Sequence, residues 1–352
     1  MGQWQDRRIT DLFGIELPIV QAPMAGATTS EMVIATCEAG GLGSLPGALL
    51  SIEQMRAALD QIRAATRKPV NCNFFVHVEA GPEPQRHQAW QSALAPYYTE
   101  LGLDPSAPVP SSARAPFDDA YCRIVEEYRP EVVSFHFGLP RAELLVRVKA
   151  TGAKVIASAT TVAEARWLDE RGVDAVIAMG FEAGGHRGSF LTQDMASQVG
   201  TFALVPQVVD AVKVPVIAAG GVADRRGVRA AFALGASAVQ VGTAYLLTPE
   251  AKVAAFHREA LKNARDDGSA LTNVFTGRPA RSLYNRLMRE QGPLSTLAPS
   301  FPTAGGALLP LRGVTEKQGL ADFSSLWSGQ SAALVRNEMS SAELTRYLGE
   351  AD

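Results

Sequence analysis

The chain has 352 residues, 47% of them hydrophobic and 20% charged, with a formal net charge of −3. That composition suits a soluble globular protein and excludes a fibrous or disordered one. No apolar stretch approaches the ~20 residues of a membrane helix, and no basic run offers a nucleic-acid footprint.

From the N-terminus, short apolar runs alternate with amphipathic segments, the pattern of βα repetition around a parallel sheet. Strands are predicted near Pro18–Gln21, Leu42–Leu45, Pro69–Phe74, Val132–Phe135, Lys154–Ala157, Ala175–Ala178, Val214–Ala218 and Ala238–Val241. Helices are predicted over Ser30–Ala39, Ser51–Ala65, Asp118–Tyr128, Arg141–Ala150, Thr161–Arg171, Thr201–Ala211, Arg225–Leu234 and Pro249–Lys262. Ser30, Ser51 and Asp224 stand where N-caps belong. Within Thr161–Arg171, apolar Ala163, Ala165, Trp167 and Leu168 are set against polar Glu164 and Asp169. Eight strands with following helices fit a closed α/β fold, the (β/α)8 TIM barrel. The rival, an open doubly wound sheet, would favour G-x-G-x-x-G after the first strand, and Gly41–Pro46 fails at the last glycine.

Two regions fall outside the repeat. Residues 77–117, with His77, His87, Tyr97, Tyr98 and the proline-rich Asp104–Pro116, read as an insertion after strand three. Beyond about Asn263 the chain turns polar and glycine-rich, with a helix expected from Ser340. The division expected is a barrel of residues 1–76 and 118–262, with residues 77–117 and 263–352 forming a cap over its catalytic rim. His77, His87 and His257 have no motif around them and are assigned to surface or loops; Arg278–Arg289 reads as a solvated basic face. Cys37, Cys72 and Cys122 are odd in number and widely spaced, which suits reduced thiols. MGQWQDRRIT lacks the apolar core of a signal peptide, so a cytoplasmic location is expected.

The densest chemical signal is Gly180–Phe190, GFEAGGHRGSF, which follows the apolar run Ala175–Met179. A strand ending in a glycine turn that carries an ionisable group is how sites are built at the C-terminal rim of a barrel. Taken alone, it reads equally as a surface turn bearing an exposed histidine. Two further strand-to-glycine units follow: Val214–Ala219 into Gly220-Gly221, and Ala238–Val241 into Gly242-Thr243. No HExxH, CxxC, Walker A or GxSxG pattern is present, and no metal site is expected.

AGGH, VIAAGG and QVGTA, together with Gln21-Ala22-Pro23-Met24-Ala25-Gly26, resemble the nitronate monooxygenases of the bacterial class I type, over about residues 18–76 and 130–245. The resemblance implies an FMN cofactor. In barrels of this class a phosphate sits at the loops after strands seven and eight, where Gly220, Gly221, Gly242 and Thr243 fall; their N–H groups and the Thr243 hydroxyl suit an anion. Ala22, Pro23 and Met24 would lie beside the flavin ring, with Asn73 and Gln240 as polar contacts and Gly184 and Gly185 as backbone contacts. Without the resemblance, Met24 is a core gap-filler and Asn73 a turn residue. His186 would stand over the flavin and face substrate as the catalytic residue. His136, at the end of strand four, is either a substrate contact or a hydrogen-bonded support. Glu182 is assigned a structural role on the rim. Met179 departs from the family, whose usual residue there is glutamine.

The activity implied is oxidation of alkyl nitronates by O2 to carbonyl compounds and nitrite. Small-molecule nitronate and O2 are the partners expected, and a homodimer is an open possibility. The rivals are an NAD(P)H-dependent flavin reductase acting on quinones or enoyl thioesters, and a flavin-binding protein without turnover.

Overall fold

The computed structural model describes residues 4–111, 114–335 and 338–351. Ser112 and Ala113 of the proline-rich stretch, and the first three residues of the N-terminal decapeptide, lie outside them. In chain order the strands are β1 (Ile19–Gln21), β2 (Gly43–Pro46), β3 (Val70–Phe75), β4 (Val132–His136), β5 (Lys154–Ala159), β6 (Ala175–Met179), β7 (Gly185–His186), β8 (Val216–Ala219), β9 (Ala238–Val241), β10 (Ser269–Thr272) and β11 (Ala280–Leu283).

Eight of them form one parallel sheet in the order β1-β9-β8-β6-β5-β4-β3-β2. The two ends meet: Gln21 N–H donates to the Leu42 carbonyl, and Leu42 N–H to that of Ile19, each at 2.9 Å. The result is a (β/α)8 barrel, and its strands match the eight expected to within two residues at each end. Period-2 alternation explains why so little polarity is needed along each strand. Val20, Leu42, Val132, Ile156, Ala175, Ile177, Ile217 and Ala238 point inward, where Ile9, Phe13 and Ile15 of the N-terminal segment close the barrel floor. Their sequence neighbours Ile19, Val133, Val155, Val176, Val216 and Val239 point outward under the helices. Both faces are buried, so strands such as β6 and β8 read as apolar runs, while the buried polar residues of β3, Asn71 and Asn73, bond to Ser44 and Ser134 on neighbouring strands.

The predicted helices are present, others such as Arg8–Phe13, Arg286–Gln291 and Leu309–Thr315 are added, and three differences stand out. Thr29, not Ser30, caps the second helix: its hydroxyl accepts Met32 N–H, and Ser30 is already helical and buried. Ser51 forms a full capping box with Gln54, and the Asp224 carboxylate accepts from Arg226 and Gly227 N–H, as expected. The span predicted from Pro249 starts only at Ala255, because Thr243–Leu247 forms a separate 3-10 turn and Pro249 precedes the helix. Thirdly, a helix not anticipated, Pro84–Glu100, runs through the residue 77–117 segment. Its Trp90, Leu94, Tyr97 and Tyr98 pack on Val274, Leu308, Leu311 and Phe323 in a core of their own. The final helix, Ser341–Gly349, lies on the barrel flank, where Thr345 meets the buried Tyr245 hydroxyl at 2.7 Å.

β7 is two residues long and belongs to a second, antiparallel sheet, β10-β11-β7, in which His186 pairs with Ala280 and Gly185 with Arg281. The turn after β7 is fixed by Glu164. Read from the sequence as polar helix surface, Glu164 is in fact fully buried. Its carboxylate accepts Thr160 N–H (2.7 Å) and O–H (2.8 Å) on one side, and Phe190 N–H (2.6 Å) and Leu191 N–H (3.0 Å) on the other. Four donors satisfy an anion that burial would otherwise penalise. Glu164→Ala should strand them, with an expected loss of at least ~2 kcal/mol of unfolding free energy in urea titration; Glu170→Ala, on the exposed side, serves as the control.

Candidate active site

A cavity of about 400 Å³ opens at the C-terminal ends of the barrel strands. This is within the range of small-molecule sites. Every residue assigned to the site from sequence lies on its wall: Ala22, Pro23 and Met24 after β1, Asn73 in β3, His136 at the end of β4, Met179 at the end of β6, Gly184, Gly185 and His186 around β7, Gly220 and Gly221 after β8, Gln240 in β9, and Gly242 and Thr243 beyond it.

His186 is held from one side only. Its Nε2 meets the Thr276 hydroxyl at 2.9 Å, which leaves Nδ1 as the ring nitrogen for a ligand. Phe301 and Trp327 stand 5.3 Å from the imidazole centre, and Phe75 stands 6.0 Å away. Burial among these rings, then the positive charges of Arg114 and Arg278, hold its pKa well below the ordinary 6.5, and the neighbouring imidazoles of His136 and His77 oppose a further proton. The imidazole is therefore neutral at physiological pH.

His136 lies on the cavity wall but turns both ring nitrogens to protein groups. Its Nε2 faces the His186 carbonyl at 3.1 Å, and a carbonyl only accepts, so Nε2 carries the proton. Nδ1 then accepts from the Ser158 hydroxyl at 2.7 Å. Both nitrogens are spent on protein, and burial pushes the pKa down to about 4. Asn73 turns its amide nitrogen to Ser134 Oγ at 2.9 Å.

The glycines have distinct reasons. A Cβ at Gly184 would stand 2.6 Å from Gly329 N, so the close pass of the Ser328–Gly329 segment requires glycine there. Gly220 has φ +100, and a Cβ would meet Ala183 N at 2.9 Å. At Gly185 a Cβ would meet nothing within 4 Å, so the missing side chain leaves ligand space on the cavity wall. Thr243 Oγ1 accepts Gly329 N–H at 2.9 Å, and its own O–H remains a donor. Gln240 Oε1 is buried on the wall with no hydrogen-bond partner among the described residues. A carbonyl so placed calls for an N–H or O–H donor from a ligand. That orphan acceptor and the space at Gly185 fit a flavin with its polar ring edge or ribityl chain. Met179 is buried on the wall and turns inward with Ile177 and Ala175, while its carbonyl accepts from Arg187 at 3.0 Å.

Glu182 is structural as expected, accepting Thr201 N–H at 2.8 Å and the Thr201 hydroxyl at 2.8 Å. Sequence reasoning missed the far wall, to which Arg114, Trp327, Ser328 and Gly329 contribute. It also placed two histidines wrongly. His77 is buried, 4.8 Å from the Phe301 ring, with neither ring nitrogen hydrogen-bonded among the described residues, and His257 lines the cavity. Nor is Arg278–Arg289 a solvated face throughout. Arg281, in the central strand of the small sheet, is buried and donates to the Phe181 carbonyl; Arg278 donates to that of Ser189 and lies 4.0 Å from the Phe137 ring centre. Phe137 itself has φ +75. A strained aromatic beside the site is a common functional mark, but positive φ leaves no trace in sequence.

The fold and site define a barrel enzyme with a cofactor-sized cavity at the C-terminal rim and a neutral histidine on a glycine turn. The sequence profile of the family described as nitronate monooxygenase matches residues 6–350. A nitronate monooxygenase of Pseudomonas aeruginosa is 41% identical, with 97% of this chain and 98% of that one covered. Among solved structures, the nitroalkane oxidase from Streptomyces ansochromogenes superposes with a TM-score of 0.87 at 36% identity, covering 97% of this chain and 96% of that one. FabK from Thermotoga maritima gives 0.74 at 30% identity, covering 97% and 94%. The chain belongs to the nitronate monooxygenase family and is a flavin-dependent oxidoreductase.

The histidines predict an acid response. His77, His136 and His257 are each held at about 4 against an ordinary 6.5, burial being the main cause. In the unfolded chain they bind protons first, so their contribution to stability is complete above pH 6.5 and is lost as pH falls toward 4. Urea unfolding between pH 7 and 4.5 should show falling stability. His136→Gln should flatten the slope by about one proton, and an unchanged slope would mean His136 is not neutral in the fold.

Proposed function

We propose that the protein is an FMN-dependent monooxygenase that converts alkyl nitronates and O2 to carbonyl compounds and nitrite. The observation that carries this reading is His186: neutral, fixed through Nε2 by Thr276, and presenting its other nitrogen to the cavity. Gln240 Oε1 would hold the flavin or its ribityl chain. The backbone at Gly220–Gly221 and Gly242–Thr243 would hold the phosphate, and Ala22–Met24, Asn73 and Met179 would flank the ring. Bound there, FMN supplies the electron-accepting and O2-reducing chemistry. The protein's own part is orientation and exclusion. His186 Nδ1 accepts a proton from a neutral nitroalkane or a hydrogen bond from the substrate's side. His136, anchored by Ser158, fixes the His186 carbonyl and so the turn. Phe75, Phe301 and Trp327 keep water from the reacting carbon. Segments 77–117 and 263–335 act as the cap, the final helix lying on the barrel flank: Arg114 from the first, and Phe301, Trp327 and Gly329 from the second, stand at the site. Substrate is a small molecule, with no nucleic-acid or membrane partner.

Purified protein should carry FMN that is released on denaturation. Mixed with ethyl nitronate it should consume O2 without added NADH or NADPH, and His186→Asn should lose ~10²–10⁴-fold in rate while keeping its flavin. A stoichiometric requirement for a nicotinamide would instead make it a reductase, and an unaffected variant would make His186 structural.

Met179 tests the strand-six contact. A thioether accepts weakly and donates nothing, so Met179→Gln should retain FMN, tighten it by up to about tenfold, and shift its reduction behaviour. Identical FMN dissociation and nitronate kinetics in the two proteins would show that residue 179 does not touch the flavin.

A further inference from the structure

Among the described residues the arginines around the site other than Arg114 each have a hydrogen-bond or ion-pair partner for the guanidinium, although Arg278 Nε, like Arg114 Nε, is buried without one. Arg187 donates to the carbonyls of Met179 and Gly180 and to Gln198; Arg281 donates to Phe181; Arg278 donates to Ser189. Arg312, on the cavity wall, pairs with Glu316 at 3.0 Å. Arg114 shares that wall, yet among the described residues no hydrogen bond or ion pair holds its guanidinium, and its Nε is closed to solvent. Phe301 stands beside it, its ring centre 5.8 Å from the guanidinium carbon and 5.3 Å from the His186 ring, and among the described residues the only side-chain charge felt by Arg114 is the like charge of Arg312. Of the charges around His186, that of Arg114 acts on it most strongly. The nearby carboxylate on the wall, Glu182, is already occupied by Thr201.

A half-buried cation without a counter-charge is costly, and a ligand anion would relieve that cost. We propose that Arg114 recognises the anionic head of the substrate, its planar fork meeting the two oxygens of the nitronate while His186 flanks the adjacent carbon. This rests on the functional reading above and assigns a selectivity to it: anionic nitronate over neutral nitroalkane. A guanidinium matches two coplanar oxygens bidentately, which an ammonium does not.

The test uses the full-length, FMN-loaded protein and its Arg114→Met and Arg114→Lys variants. KM and kcat are measured with ethyl nitronate and with neutral nitroethane, and inorganic nitrite is titrated against the absorbance of the bound flavin without turnover. Arg114→Met should raise the KM for nitronate and the Kd for nitrite by about 10- to 100-fold, with kcat and the nitroethane KM changing much less. Arg114→Lys should recover part of the loss. A nitronate KM and nitrite Kd within twofold of the parent in Arg114→Met overturn the proposal. Should that variant fail to load FMN, the same result in Arg114→Lys overturns it. The two readings fail separately. Nitrite binding that depends on Arg114, in a protein that turns over no nitronate, refutes the nitronate oxidation and leaves Arg114 as an anion-binding residue. Rapid nitronate turnover that is indifferent to residue 114 does the reverse.

Discussion

The site depends on a fully buried arginine that has no carboxylate partner among the described residues. Arg187 follows His186 directly and sends its guanidinium back under the turn, to the carbonyls of Met179 and Gly180 and to Gln198 Oε1. These bonds tie the end of β6 to the residue after β7, so strand end and histidine move as one body. Each charge-assisted bond contributes about 1.5–3 kcal/mol, against the several kcal/mol needed to dehydrate the cation. Burial does lower the Arg187 pKa, to about 10, but not far enough to discharge it. Glu164 performs the complementary task one turn later, with four donors around one anion. The two-residue strand β7 would be too short to hold a register by itself. Its pairing with β11 and these two buried ions over-determine where the imidazole sits.

A different set of charges sets the chemistry. Arg114, Arg278 and the neighbouring imidazoles add to burial in opposing protonation of His186. A protonated His186 would be one more cation in a region already rich in them. A neutral imidazole is what can take a proton or accept a hydrogen bond, and the surroundings enforce it rather than leaving it to solution pH.

Much of this was legible in the sequence, and the reason is physical. Parallel strands buried on both faces are largely apolar, and their ends must turn tightly, so runs such as Ala175–Met179 and Val216–Ala219 announce both strand and rim. The glycines, His186 and Gln240 fall on the cavity wall because barrel geometry carries every strand end to the same rim. What stayed hidden depends on pairing across long distances. β7 and β11 have no period-2 pattern, since Gly185–His186 is a strand only through Ala280 and Arg281. Glu164 and Arg281 look solvent-facing because their burial is offset by donors and acceptors far along the chain. The helix Pro84–Glu100 did leave a trace, Trp90, Leu94, Tyr97 and Tyr98 at helical spacing, which Pro96 inside it obscured. Arg114 sits in a proline-rich stretch where nothing local marks its guanidinium as lacking a partner.

The two segments outside the barrel repeat are where relatives on one barrel can diverge. The rim residues at the ends of β1, β3, β6, β8 and β9 are fixed by strand positions. The far wall is built from loops, with Arg114 on one side and Phe301, Trp327 and Gly329 on the other. Gly329 reaches into the cradle itself, donating to Thr243 Oγ1, and it forces glycine at position 184 by its close approach. The far wall is thus tied to the barrel rim through backbone and lines the rest of the cavity with side chains. A change in a cap loop leaves the rim in place only if the Ser328–Gly329 contact is preserved. That contact, more than the overall shape of the barrel, separates loop positions free to reshape the cavity from those held against the rim.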